Sequence, residues 1–495
     1  MKSFVNGAIS RRKLLQIGAT ASVATFLFPT PLVLAKSAET PKLRFGVVGL
    51  GGRSGVLIKF LLDNPQAQIV ALCDPDSTRL AEARKKAPEA KGYADLRELL
   101  DSPEVDVVVI AACNHWHALA AIWAMQAGKD VYLEKPLSIT FWEGRQIVNA
   151  SKKYGKICQI GSQMRTDAAF HPEVKKFLHQ DKELGSLLSV RVNRFFSRFP
   201  IGKRETPLTP PTFVNYNLWL GPAQDVPLYR DNLHYDWHWY WRTGNGETGN
   251  WGAHLLDDCR NDVFLDEIKA PKRILSGGGR VGYNDDGQTP NSMFVYFDTG
   301  SIPVVFCISN VPDRNNRKYA GACPGPTSGY VVYCEGGRYE KHWGGAVAFD
   351  SNGKKIRDFV GTSEYEGAGP HLQNFIDAVF RREQGTLNAP VEIAFDTSFW
   401  YNGANIAYRL GEPFSKEAAL KLDDSPNGVL SGAINDLERH LRAQDLSVNA
   451  DTFKMSRFLE IDLENDSIKG EYAERAKPLL DVPYREPFGV PQIDL

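Results

Sequence analysis

Phe45-Gly-Val-Val-Gly-Leu-Gly-Gly-Arg-Ser-Gly-Val-Leu57 decides how the first third of the chain is read. β-Forming residues run into a glycine-dense turn, and an apolar-periodic stretch leaves it. This is the strand–turn–helix pattern that cradles a dinucleotide pyrophosphate. Gly49 permits the tight turn, and Gly51 lets backbone N–H groups approach an anion at the positive end of the following helix. Gly52 and Arg53 lie in the same turn and join the candidate cofactor-binding residues. Ser54 stands where the G-x-G-x-x-G fingerprint carries its third glycine, with Gly55 just after, so the match is incomplete.

Moving outward, Ala67–Cys73 reads as a second strand ending at Asp74, 25 positions beyond Gly49. An acid at that strand end is placed to accept hydrogen bonds from the adenosine ribose hydroxyls. Its charge would repel a 2′-phosphate, so the spacing predicts NAD rather than NADP. Asp74-Pro75-Asp76 also reads as a turn in which Asp76 or Ser77 caps a helix.

Residues 1–35 read as a separate leader. Arg11-Arg12-Lys13 precedes a short, modestly apolar stretch, Ile17–Phe28, and Val33-Leu34-Ala35 offers small residues for cleavage. These are the marks of a twin-arginine export signal, leading to a periplasmic or secreted protein. The stretch is too short and too polar to span a membrane. Loss of the four leader cations would take the net charge from −1 to −5, and no basic patch points to nucleic acid or anionic lipid. Seven cysteines, without C-x-x-C spacing, suit a chain folded under reducing conditions; one pair among Cys307, Cys323 and Cys334 stays open.

The mature length suits two domains. Strands and helices alternate over residues 42–161, which predicts a doubly wound parallel sheet, an α/β Rossmann domain. Within it Val105–Ala112, Asp130–Leu133 and Lys156–Ile160 read as strands, and Ala118–Ala127 and Phe141–Tyr154 as helices. Residues 162–411 read as an α+β substrate-binding domain with an open-faced, largely antiparallel sheet that includes Leu187–Phe196, Ser292–Phe297 and Ile302–Ile308. Ser309–Gly361 reads as long loops over that sheet, and Pro370–Phe380 and Thr397–Leu410 as helices. Residues 412–495 form a C-terminal extension whose role the sequence does not reveal. An open sheet with one apolar face predicts a homo-oligomer.

Val131-Tyr-Leu-Glu-Lys-Pro-Leu137 puts Glu134-Lys135-Pro136 at the carboxyl edge of the sheet. A lysine there can hydrogen-bond a substrate hydroxyl and stabilise an alkoxide; an ordinary Glu-Lys ion pair before a proline turn gives the same local pattern. The glycine turn, Asp74, Asn114-His-Trp-His117 and Glu134-Lys-Pro136 are together similar to the glucose–fructose oxidoreductase / inositol dehydrogenase (Gfo/Idh/MocA) family, exported members included. Leu218–Ala223, Trp237–Trp241, Gly249–Asp257 and His371–Phe375 extend the resemblance over most of Leu43 to Gly411.

The resemblance implies a Rossmann domain followed by an open-faced sheet, with a small carbohydrate substrate between that sheet and the nicotinamide. It makes Lys135 the catalytic lysine and His254 the residue that relays the hydroxyl proton. It places His117 and Asn114 near the cofactor beside Glu134. Asn250 stands where many members carry an aspartate; an amide cannot accept a proton, so the base would be His254 or Lys135. Asp257 is read as fixing geometry. Arg165 and Trp239 join Asn250 as candidate substrate residues; a surface salt bridge and a core stripe are their alternatives. His234 and His238 are four apart, but Trp237–Trp241 alternates like a strand and no acidic ligand follows, so no metal is expected. The reading reached is an exported NAD-dependent oxidoreductase of a sugar, glycoside or cyclitol. A redox-neutral, NAD-dependent glycosidase is the alternative, and a non-catalytic binding protein the third.

Overall fold

Leu43–Val48 forms β1, whose Phe45, Val47 and Val48 are buried by helices on both sides of the sheet, as a parallel strand requires. The computed structural model describes residues 41–495 except 319 and 363. With β1 run β2 (Ala67–Cys73), β3 (Lys91–Tyr93), β4 (Val107–Ile110), β5 (Asp130–Leu133) and β6 (Cys158–Ile160). All pair in parallel, in the order β3-β2-β1-β4-β5-β6. The helices α1 (Gly52–Asp63), α2 (Ser77–Lys86), α3 (Leu96–Leu100), α4 (His117–Gln126) and α5 (Phe141–Tyr154) connect them. Strand order reverses between β1 and β4, opening a crevice above their carboxyl ends. The α/β alternation read from the sequence is the observed one, with β4 and β6 shorter than expected.

Beyond α6 (Phe170–Lys175) the chain builds a second sheet on β7 (Leu187–Phe195). Two helices, α7 (Tyr216–Leu220) and α8 (Gly246–Val263), precede β8 (Arg273–Gly279), β9 (Ser292–Asp298) and β10 (Val304–Ser309). The stretch expected to be long loops instead forms β11 (Ser328–Cys334), β12 (Gly337–His342), β13 (Gly345–Asp350) and β14 (Lys355–Val360). β11 is largely buried, but β12–β14 are partly exposed and joined by tight turns, so glycine and charge masked the alternation; Gly344 and Gly353 turn at φ +79° and +78°. The order is β14-β13-β12-β11-β7-β10-β9-β8, antiparallel except for the parallel β7–β10 pair. Helix α8 and, beyond α9 (Glu364–Arg381), helix α10 (Val391–Arg409) pack on one face.

The aromatic run Trp237–Trp241 is not a strand. Asp236–Trp239 forms a 3₁₀ turn in which Trp237 stacks on His238 at 3.6 Å between ring centroids. Among the described residues no neighbouring strand pairs with this segment. Its carbonyls are met by Thr243 Oγ1 and by the N–H groups of Gln288 and Thr289.

Residues 412–495 are an integral part of the second sheet. The strands β15 (Glu412–Pro413), β16 (Lys454–Met455), β17 (Leu459–Asp462) and β18 (Ser467–Lys469) extend it through the edge of β8. Helices α11 (Lys416–Lys421) and α12 (Val429–Arg442) lie between β15 and β16. Leu430, Ile434, Leu437 and Leu441 of α12 pack on Leu275, Phe294, Tyr296 and Val305, the second face of the sheet. The apolar face expected to need another copy is therefore covered here by this chain. After α13 (Ala473–Leu480) the tail reaches the Rossmann domain: Ile493 donates its N–H to Gln146 Oε1, and Tyr484 its hydroxyl to Glu143. All seven cysteines are free, Cys307, Cys323 and Cys334 included. Among the described residues no helix is long and apolar enough to cross a membrane. The leader read over 1–35 lies outside the described residues.

Candidate active site

A cavity of about 790 Å³ runs from the glycine turn, past the carboxyl ends of β4 and β5, to the second sheet. At its first end Gly49 holds φ +80°, and a Cβ there would stand 2.6 Å from the Ala112 backbone. Only glycine fits that position. Gly51 caps α1 with no side-chain hydrogen bond, and a Cβ at Gly52 would meet nothing within 4 Å. The first amides of α1 thus stand beside open space, as a pyrophosphate requires. Ser54 does not line the cavity; its hydroxyl donates to the Gly51 carbonyl at 2.7 Å and closes the turn from behind. Asp74 lies on the wall, accepting N–H bonds from Leu50 (2.7 Å) and Asp76 (2.8 Å). Burial raises its carboxyl pKa, against those two amides. Asp76 caps α2 through the N–H groups of Thr78 and Arg79. Arg79, which sequence reasoning missed, lies over the turn with Nη1 3.1 Å from where a Gly51 Cβ would be.

Further along, Arg53 pairs with Glu134 at 2.9 Å and so links the glycine turn to the end of β5. Gln163 donates to the same Glu134 oxygen. Asn114 lines the cavity and donates to Asn245 Oδ1 at 2.9 Å, and Asn245 donates in turn to Asn402 on α10. Lys135 follows on the wall, its ammonium donating to Asn250 at the carbonyl (2.8 Å) and Oδ1 (2.9 Å). The first turn of α8 therefore aims the lysine.

The far end is made of side chains drawn from β7, α8 and the loops that face them. Arg194, Phe196, Arg198, Tyr235, Trp237, His238, Trp251 and Trp343 line it. Arg194 donates from Nε to Glu247 (2.9 Å) and from Nη1 to Ser328 (3.0 Å), and its guanidinium lies 3.6 Å from the Trp251 ring centroid. Arg198 reaches the same Glu247 oxygen at 3.2 Å. Burial would raise the Glu247 pKa, but Arg198 and Arg194 outweigh it and hold the carboxyl at about 2. Burial pushes His238 down to about 3, with Lys135 and Arg198 adding nearby positive charge, so its imidazole is neutral at pH 7. One sequence signal pointed to Arg194: alternation along β7 puts it on the face of Val190 and Val192, a charge on an apolar face. Trp343 carried no signal.

Besides Ser54, four expected site residues are not on this wall. His254 is buried on α8 one turn beyond Asn250, its ring 5.6 Å from that of Trp251. His117 is also buried, with Nδ1 2.6 Å from the Pro136 carbonyl and Nε2 3.1 Å from that of Ala112. It braces the lysine turn against the end of β4. Arg165 is neither a cavity residue nor a surface one, being enclosed by Asp257 and Asp266 in a buried ion cluster. Trp239 is 4% exposed in a separate core with Val214 and Trp219. Its place on the wall falls to Trp237 and His238, because the 3₁₀ turn breaks the expected alternation. His234 turns to Asp76 and His238 to the Tyr235 carbonyl, away from a shared ligand point. Among the described residues the trio His171, Asp258 and Asp262 lies within 4.8 Å, but both His171 nitrogens already face acceptors, Asp262 and the Met164 carbonyl.

Comparison with known proteins agrees with this geometry. Residues 43–162 match the model described as "Oxidoreductase family, NAD-binding Rossmann fold", and residues 171–274 match that family's "C-terminal alpha/beta domain". Over these two stretches the chain is similar to the Gfo/Idh/MocA oxidoreductases, the first stretch to their NAD-binding domain. It is 33% identical to inositol 2-dehydrogenase of Salmonella paratyphi B over 168 residues, 33% of this chain and 49% of that protein. It is 37% identical over 131 residues to glycosyl hydrolase family 109 protein 1 of Bacteroides fragilis, covering 24% of this chain and 28% of that protein. The chain thus spans half or less of the length of these relatives. The WlbA dehydrogenase of Bordetella pertussis, solved with NADH and UDP-GlcNAcA, shares the fold: TM-score 0.53 at 17% identity, over 72% of this chain and 92% of that one.

Proposed function

We propose that the protein is an NAD-dependent oxidoreductase that transfers hydride at a hydroxyl-bearing carbon of a sugar, glycoside or cyclitol, and that a twin-arginine leader exports it to the periplasm or beyond. The observation that carries this reading is Lys135. It stands where β5 ends, on the wall of the cavity that starts at the glycine turn, with its ammonium aimed by both oxygens of Asn250. A bound nicotinamide supplies the hydride acceptor or donor. In the oxidative direction Lys135, as the neutral amine, accepts the hydroxyl proton while the carbinol carbon gives up hydride and its C–O bond becomes a carbonyl. In the reverse direction its ammonium stabilises the developing alkoxide and returns that proton. Asn250 cannot accept a proton, and neutral His238, held near a pKa of 3, is too weak a base to take one at pH 7. Proton handling therefore falls to Lys135.

The amides of α1 hold the pyrophosphate, and Asp74, its carboxylate buried at the end of β2, holds the ribose hydroxyls. A negative charge at that point favours NAD over NADP. The inositol dehydrogenase relative supports a polyol or sugar as substrate. The glycosidase reading leans on a relative matched over 28% of its length and is the weaker one. Denaturing the purified protein and weighing the released nucleotide by mass spectrometry tests the proposal. NAD or NADH is expected; NADP, or no nucleotide before and after incubation with NAD, would defeat it.

A further inference from the structure

We infer that the substrate is a carboxylate-bearing sugar, and that Arg194 and Arg198 bind its carboxylate. This rests on the oxidoreductase reading above and narrows its substrate class. Both guanidiniums line the far end of the cavity, and both are tied to the single buried carboxylate of Glu247. Two cations against one anion leave a surplus positive charge in the wall. Among the described residues no acid at this end balances it: the lining acids Asp74 and Asp95 lie at the nucleotide end, and Glu134 pairs with Arg53.

The guanidiniums also keep donors in reserve. Arg194 uses Nε on Glu247 and Nη1 on Ser328, and Arg198 uses Nη1 on Tyr235 and Nη2 on Glu247. Of the remaining donors, Arg198 Nε is buried and has no hydrogen-bond partner among the described residues. A buried guanidinium N–H without an acceptor is costly, and a substrate anion would relieve it. The arginines are rigid: Arg194 lies 3.6 Å from the Trp251 ring centroid and 4.3 Å from that of Phe196, and Arg198 lies 4.8 Å from the latter. Fixed planar forks suit a planar carboxylate, and the surrounding rings suit the C–H face of a sugar. The surplus charge matches a monoanion, whereas a phosphate monoester brings close to two negative charges.

The spacing to the chemistry is short. Trp251, stacked on Arg194, directly follows Asn250, which holds Lys135. His238 feels both Lys135 and Arg198. One hexose-sized molecule can thus place its carboxylate on the arginines and a hydroxyl carbon beside the lysine.

The test is calorimetric titration of the full, nucleotide-bearing protein with glucuronate and galacturonate, their neutral parents glucose and galactose, and glucose 6-phosphate and glucose 6-sulfate. At least one uronate should bind ten-fold or more tighter than its parent and than either ester. Arg198→Gln should reduce that preference to within about three-fold. Parity of acid and parent in the wild type, no binding by either acid, tighter binding of an ester, or a preference that survives Arg198→Gln would each overturn the inference. The wild-type comparison decides even if the variant fails to fold. Nucleotide content is measured on the same samples, so a protein that holds no nucleotide defeats the oxidoreductase reading separately from the anion preference.

Discussion

At the nucleotide end of the cavity, residues between Gly49 and Asp74 supply the turn, the helix amides and the carboxylate. At the substrate end the wall comes from residues spread between Arg194 and Trp343, on β7, α8 and separate loops. The first end is made largely of backbone, whose geometry follows from local residue types. The second is made of side chains, and their convergence exists only once the second sheet has formed. Lys135 stands between the two, borne by the Rossmann domain and aimed by α8. If this contrast is sound, changes at one end should lose nucleotide, and changes beyond it should lose turnover alone.

The sharpest break is Lys135→Ala. Turnover should fall roughly 10³-fold, the scale of losing one preorganised donor at a developing oxyanion, while the protein still carries nucleotide. Loss of nucleotide along with activity would merge the two ends and spoil the contrast. Gly49→Ala strikes the other end. With φ at +80° and backbone 2.6 Å from the new Cβ, the turn must open, at a cost of more than ~2 kcal/mol. The purified variant should contain less nucleotide and melt at lower temperature; wild-type nucleotide content would show that the turn is not what holds it. Asp74→Asn is milder. It should weaken NAD binding about ten-fold and narrow the preference over NADP, as titration of nucleotide-free protein with each coenzyme would reveal. An unchanged ratio would remove Asp74 from coenzyme choice.

The same contrast explains what was legible in the sequence. Glycine spacing, the acid after β2 and the Glu134-Lys135 turn sit on short stretches whose strand or helix character is locally fixed, and the structure puts them at one crevice. Trp239 and Arg165 failed because both expectations needed side-chain direction. A 3₁₀ turn sends Trp239 into a core, and Asp257 and Asp266 draw Arg165 away. His254 sits on the helix that aims Lys135, yet it lies one turn further along α8 than Asn250, and Asn250 and Trp251, not His254, are on the wall. The strands β11–β14 were hidden because their glycines and the charges of the partly exposed β12–β14 give the stretch the composition of a loop. The tail was unreadable for another reason: its short elements are stable only against surfaces built hundreds of residues earlier.

Glu143 joins the legible and the illegible in one residue. Thr140-Phe-Trp-Glu143 is a capping pattern at the start of α5: Thr140 Oγ1 accepts the Glu143 N–H at 3.1 Å, and Glu143 Oε2 accepts that of Ile139 at 2.9 Å. Such a glutamate would ordinarily be solvated and ionised. Here the tail lays Tyr484 against it, and burial pushes its pKa up to about 7, only partly offset by hydrogen bonds from Ile139, Tyr484 and Thr140. A carboxyl whose folded pKa is raised contributes stability that is full below its unfolded value of about 4.5 and lost as pH rises through about 7. Glu143→Gln, which keeps an acceptor for Ile139 and never ionises, should remove that slope. Relative to wild type, the variant should gain on the order of 1–3 kcal/mol between pH 5 and pH 8 in denaturant unfolding. A difference that does not change with pH would mean the carboxyl is ionised throughout and the tail does not desolvate it, leaving α5 capped by its local sequence alone.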